Sequence, residues 1–167
     1  MKKLLQTAIF LLIIFHATDL YSQNVMINVV TQNSGIVKKD EIIFFEIAIN
    51  NTSPTKTITA YKLRPQISFP TTIVDIPLDG HVLPNGWAIT SNRNGVIILT
   101  NGTDIIPENE RRIILIAVKG KAIGGPSTIL GNLTFSNGDA PGSVVGIALA
   151  GDNVADNAST SSINVIK

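Results

Sequence analysis

Few side chains in this sequence have the type and setting for acid–base or covalent chemistry. Of its two histidines, His16 falls in an N-terminal segment that reads as a cleavable leader, which leaves His81 in the stretch Asp79-Gly80-His81-Val82-Leu83-Pro84. An imidazole can act as a general base only beside a group to deprotonate and, in the hydrolase arrangement, a carboxylate that orients the ring. Sequence position alone places neither beside the ring, and His81, among Asp79, Gly80 and Pro84, reads as an exposed loop residue. A second cluster is Asp152-Asn153-Val154-Ala155-Asp156-Asn157, preceded by Asp139 in an earlier loop. Carboxylate and amide oxygens of this kind suit calcium, so Asp139, Asp152 and Asp156 are the candidate metal ligands. Their spacing is not that of an EF-hand, however, and Asp and Asn favour turns because their side chains bond nearby backbone groups. No other cofactor is expected.

Glu46 stands in the middle of an apolar run. Beside a lysine and an asparagine inside a β-sandwich, such an acid could promote an isopeptide crosslink, but the alternation around it places it on a solvent-facing side. Tyr61 and Trp87 are the polar-edged aromatics available to stack on a sugar once Tyr21 leaves with the leader, and they are the candidate ligand-binding residues. Asn51-Thr52-Ser53, Asn101-Gly102-Thr103, Asn132-Leu133-Thr134 and Asn157-Ala158-Ser159 match the N-glycosylation acceptor pattern. In an asparagine-rich chain these are expected to be chance matches. Cysteine is absent, which excludes disulfides, a lipid-anchored cysteine and cysteine metal sites, and leaves stability to burial.

The elements that must position these residues are short apolar runs separated by Gly, Asn and Pro, a β pattern without sustained helical spacing. Val25, Ile27 and Val29 alternate along the first run, and Asn33-Ser34-Gly35 closes it. From Glu41 to Asn50, Ile43, Phe45, Ile47 and Ile49 point one way and Ile42, Phe44, Glu46 and Ala48 the other, which predicts a central strand. Thr57 to Ser68 reads as one strand with Ile58, Ala60 and Leu63 toward the core, and Pro65 places part of it at an edge because proline cannot donate to a ladder. A short strand is expected around Ile73. Trp87–Ser91 and Val96–Thr100 follow, joined through Asn92-Arg93-Asn94-Gly95, where Asn94-Gly95 is a hairpin-turn dipeptide.

Arg111 to Val118 is apolar on both alternating faces, so it is a second central strand, covered twice or lying at a contact surface. Ser127–Phe135, Ser143–Leu149 and Ser161–Ile166 complete the series. About eight or nine strands at this spacing predict an all-β, immunoglobulin-like antiparallel sandwich, with Trp87 as its central plug.

Met1-Lys2-Lys3, the apolar run Leu4–Phe15 and the exit Tyr21-Ser22 form a secretory signal peptide, too short for a membrane span of roughly 20 apolar residues. Residues 1–22 are then the leader and residues 23–167 a single domain, secreted or held at the cell surface. Removing the leader takes 13 basic and 12 acidic residues to 11 of each. A neutral chain whose adjacent basic pairs are only Lys38-Lys39 and Arg111-Arg112 lacks the footprint of a nucleic-acid or anionic-membrane binder.

Several segments, in order, resemble the conserved repeat domain of bacterial surface proteins, also known as domain of unknown function eleven. Lys39-Asp40-Glu41 leading through Ile42–Ile49 to Asn50-Asn51 is similar to its opening strand. Val74-Asp75-Ile76-Pro77-Leu78-Asp79-Gly80 and Val82-Leu83-Pro84-Asn85-Gly86-Trp87 each approximate its Asp-apolar-Pro-x-Gly element. Ile105–Leu115 looks like the turn and strand that follow, and Gly151-Asp152-Asn153 through Asp156-Asn157-Ala158 to Val165 like its closing turn and strand. The resemblance implies an immunoglobulin-like fold on a secreted or surface protein without catalytic residues, usually present as tandem copies, although this sequence shows no internal repeat. Residues and resemblance together predict a noncatalytic module acting in adhesion, extracellular matrix or cell-surface assembly, with surface proteins or glycans as partners. The alternative is a secreted carbohydrate-binding module.

Overall fold

The structure, a computed structural model, describes residues 23–136, 145–146 and 149–167. The leader, the turn at residues 137–142 with its calcium candidate Asp139, and most of the expected strand Ser143–Leu149 lie outside the described residues. In chain order the described strands are β1 (Val25–Thr31), β2 (Ile36–Lys38), β3 (Ile42–Asn51), β4 (Leu63–Ser68), β5 (Val74–Asp75), β6 (Ala88–Arg93), β7 (Val96–Thr100), β8 (Arg111–Gly120), β9 (Gly124–Ser136), β10 (Val145–Gly146) and β11 (Ala158–Ile166). One sheet runs β1-β3-β8-β5 and the other β2-β11-β9-β4-β7-β6, with β10 added to β9. Only β2, three residues long, falls in none of the expected runs; β5 lies beside the short strand expected around Ile73, and β10 lies within the expected run Ser143–Leu149. Among the described residues every strand ladder is antiparallel except β2 with β11, which an isolated parallel bridge from Lys39 to Gly120 follows.

Alternation builds the core. Val29, Ile47 and Ile114 lie opposite one another across β1, β3 and β8, all buried, and on the inward rungs to either side Ile27 with Ile49 and Phe45 with Ile116 continue the buried surface, completed by the half-buried Arg112 and Thr31. Opposing them in the second sheet are Leu63, Ile67, Ile97, Leu99, Ile129, Leu133 and Phe135. Phe45 meets Phe69 edge to face, with ring centroids 5.6 Å apart at 79°, the favoured geometry for an aromatic pair. Trp87, expected as the central plug, belongs to the same core cluster. The indole is buried, at 7% exposure, but it lies beside the turn after β7, where its N–H reaches Asp104.

Two turns act as the sequence implied. Asn33, Ser34 and Gly35 all adopt positive φ (50°, 53° and 74°), and this kink passes the chain from the first sheet at β1 to the second at β2. Between β6 and β7 the rung Arg93↔Val96 leaves a two-residue turn, Asn94 (φ 52°) and Gly95 (φ 77°), whose twist suits a hairpin.

Two strand expectations need correction. The stretch Thr57–Ser68 is ladder-paired only from Leu63. Before that, Ile58 makes an isolated bridge to Ile106, Ala60 is half-buried and Tyr61 turns the chain at φ 58°. Pro65 is not at an edge, because β4 lies between β9 and β7. The proline is tolerated there because the ladder with β7 begins only at Gln66, and the side chain of Asn101 takes the N–H of Leu63 beyond it.

Candidate functional site

Three polar centres and one surface result from this arrangement. The first centre is a pair of buried asparagines at strand ends. Asn51, 1% exposed, donates its amide to the carbonyls of Lys56 (2.8 Å), Ile106 (3.1 Å) and Pro107 (2.9 Å) and accepts from Ser53 N–H (3.2 Å). Asn101, fully buried, donates to Thr59 O (2.9 Å) and Asp104 O (2.7 Å) and accepts from Leu63 N–H (2.9 Å). Each side chain thus replaces the ladder where the backbone leaves the sheets. The acceptor pattern singled out both residues for glycosylation; in the fold their amides are already committed.

Next to Asn101, Asp104 receives the Trp87 indole N–H (2.7 Å) and two nitrogens of Arg112, Nε (2.8 Å) and Nη2 (3.2 Å). Arg112 also reaches Glu110 (2.8 Å), and hydrogen bonding to Asp104, with Glu110 adding to it, raises its guanidinium above the usual arginine value. Nearby, Thr57 donates its hydroxyl to Glu108 (2.6 Å) and holds that carboxyl below the ordinary glutamate range. These groups tie loops together, and of them Glu110 also lines an open groove beside β3 and β8.

The second centre gathers Asp152 and Asp156. Asp152 accepts the Val25 N–H (3.1 Å) and the Asn157 amide (2.6 Å), while Asp156 Oδ2 accepts from Asn24 (3.2 Å) and Asn153 (3.3 Å). Asn24 Oδ1 in turn accepts the Asn153 N–H (2.8 Å). The cluster therefore fastens the start of β1 to the loop before β11, and Asp156 Oδ1 and Asn157 Oδ1 are buried without a partner. Among the described residues no three His, Asp or Glu side chains converge as a metal would require.

His81 is the third centre and is half-buried, in contrast to the exposed loop residue expected. Its Nδ1 accepts the Ala117 N–H (3.1 Å) and its Nε2 lies 3.0 Å from Pro77 O. With both ring nitrogens held by backbone, it has no free lone pair with which to serve as a base. Glu46 lies on the outer face, as the alternation predicted, and its partner is Arg111 rather than a lysine. Tyr61 N–H donates to Gly102 O (2.7 Å), and Gly86 O, one residue before Trp87, accepts from Thr103 N–H (3.2 Å). Both aromatics are thus tied to the turn after β7. The indole faces are covered, whereas stacking on a sugar needs an open face.

The surface is the outer side of the first sheet. Val30 on β1, Ile42 on β3 and Ile113 on β8 are exposed, Phe44 and Leu115 are half-buried, and Val82 lies exposed over Leu115. At one end of this face Met26, Asn28, Asn50, Asn109 and Arg111 bound an open groove of about 370 Å³. Beyond β5, a second groove of about 500 Å³ is bounded by Ile76, Leu78, Asn92 and Lys121. The doubly apolar pattern of β8 has two causes. Ala117 is covered by the loop carrying Gly80 and His81, and Ile113 and Leu115 belong to the open face. No described helix is long and apolar enough to cross a membrane.

No protein-family model and no curated protein matches the sequence. Solved structures do match in shape. A cohesin module from a family 33 glycoside hydrolase of Clostridium perfringens is 12% identical, with a TM-score of 0.53 over 87% of this chain and 97% of the module. A chain of a type I cohesin–dockerin complex from Clostridium thermocellum is 7% identical, with a TM-score of 0.50 over 86% and 99%. A CARDB domain from Pyrococcus furiosus is 12% identical, with a TM-score of 0.48 over 87% and 90%. At such identities the likeness is one of fold, and the fold is an immunoglobulin-like β-sandwich.

Proposed function

We propose that this is an exported, noncatalytic immunoglobulin-like module that acts through its surface, in adhesion, extracellular matrix or cell-surface assembly, and that its partner is another surface or extracellular protein. The observation that carries this reading is the outer face of the first sheet, where Val30, Ile42, Ile113 and Val82 present apolar surface across β1, β3, β8 and the loop over β8. Exposed apolar surface of this kind is a feature of interaction sites, and here it is interspersed with charge: Glu46, paired with Arg111, stands on the rung between Val30 and Leu115, and Lys119, paired with Asp40, lies opposite Ile42. Export is supported by the cationic start and apolar run of residues 1–15. Kinship with the conserved repeat domain is supported by the order of its motif-like segments. The cohesin likeness adds an analogy of fold, since one of the matched structures is a complex with a dockerin.

The test pairs substitutions on the two outer faces. Val30→Asp combined with Ile113→Asp is expected to leave the circular dichroism melt nearly unchanged and to abolish self-association, or capture of a surface partner, measured by light scattering and affinity pull-down. Leu130→Asp, on the outer side of the second sheet, should leave association intact. Association lost with Leu130→Asp and retained in the double variant would overturn the reading.

A further inference from the structure

We infer that the segment Pro77–Val82 is a strap held on the edge of β8 by a neutral His81, and that protonating this ring releases it. The strap covers an edge that β5 leaves largely unpaired. Along that side of β8, Asp75 takes the rung opposite Lys119, and Val82 takes the one opposite Leu115 through two hydrogen bonds, 2.9 and 2.8 Å. The position between them belongs to Ala117. There the chain has looped outward over Ile76–Gly80, and no backbone carbonyl is available. The imidazole fills the gap, with Nδ1 3.1 Å from the Ala117 nitrogen.

This geometry fixes the tautomer. A backbone N–H can only donate, so Nδ1 must carry a lone pair and the single ring proton must sit on Nε2, where it donates to Pro77 O at 3.0 Å. Pro77 O also accepts from Asn92 of β6 (3.1 Å), so one carbonyl and one ring connect the strap to both sheets. An imidazolium has protons on both nitrogens and cannot accept from Ala117. Protonation therefore sets two N–H groups against each other and breaks the closure.

The charged groups nearest in register are already engaged or outside reach of the ring's hydrogen bonds. Asp75 pairs with Lys121 (3.1 Å) and Lys119 with Asp40 (3.7 Å), Asp79 lies on the strap itself, and Arg93 ends β6. Among the described residues no carboxylate is hydrogen-bonded to His81 to compensate the added charge. The open state therefore binds one proton more than the closed state, and closure weakens as pH falls. Release bares the outward groups of Leu115 and Ala117, and an unpaired edge of this kind can accept another strand. The device does not depend on the outer face being the docking surface.

The experiment is NMR on the whole protein. At neutral pH the ring nitrogen shifts should report a proton on Nε2. Protection of the Ala117 amide, corrected for intrinsic exchange, should fall by up to about tenfold per pH unit once the ring titrates, the slope of a one-proton linkage. His81→Asn puts an oxygen where Nδ1 sits without a titrating group, so Ala117 should stay protected across the range. His81→Leu should lose protection at every pH. A proton on Nδ1, wild-type protection flat between about pH 8 and pH 5, or His81→Asn losing protection in step with the wild type would each overturn the inference.

Discussion

At the scale of single residues, the polar side chains that matter most are those that stand in for backbone. Replacing Asn101 with Ala leaves the N–H of Leu63 and the carbonyls of Thr59 and Asp104 without their partner. At about 1–3 kcal/mol for each buried group left unpaired, less what water recovers, the loss should be about 3 kcal/mol in urea unfolding. Asn101→Asp should cost at least as much, because it points a carboxylate at two carbonyl oxygens. Thr57→Val tests a smaller contact. The Thr57 hydroxyl lowers the Glu108 carboxyl below its ordinary value, so the contact adds stability above that value and loses it as pH falls through the lowered one. The variant should return the Glu108 titration toward normal in carbon-detected NMR and flatten that part of the acid limb. Asn51 and Asn101 were visible in the sequence as turn and acceptor-pattern asparagines and not as buried hubs, because what each side chain does depends on carbonyls that become neighbours through folding. His81 was hidden for the same reason: its partner Ala117 is 36 residues away.

Elements followed the sequence wherever a period or a turn dipeptide was strong. Period-two alternation marked β1 and β3, a run apolar on both faces marked β8, and Asn94-Gly95 marked the β6–β7 hairpin. The misreadings have a common cause: Pro65 and the stretch Thr57–Tyr61 were judged by local propensity, whereas side chains from distant turns took over hydrogen bonds that a ladder would have made. Gly35 offers a test at this scale. A Cβ there would stand 2.2 Å from Ser162 O in β11, and the residue has φ 74°. Ala carries the left-handed penalty of about 1 kcal/mol plus a clash with strand backbone. Gly35→Ala should therefore lower the melting temperature and speed exchange of the β2 and β11 amides before others, while β4, β7 and β9 stay protected.

For the molecule as a whole, composition was a sound guide to class and a poor one to mechanism. Absence of cysteine implied a core built on burial, and the two-sheet sandwich supplies that core. The sequence could not show which outer face would be left apolar, since that depends on strand order: Ile113 and Leu115 become neighbours of Val30 and Phe44 only because β8 pairs with β3 and β3 with β1.

The parallel pair β2–β11 has a mechanical consequence. Its rungs Ile36↔Asn164, Val37↔Val165 and Lys38↔Ile166 run the same way along both strands, and the Lys39 N–H adds a bond to Ile166 O at 2.9 Å. Tension that enters at Ile36 and leaves at Ile166 pulls these two strands in opposite directions along their length. The bonds are then loaded in shear, all together, instead of being peeled one at a time, so this short seam is where the sandwich would bear force.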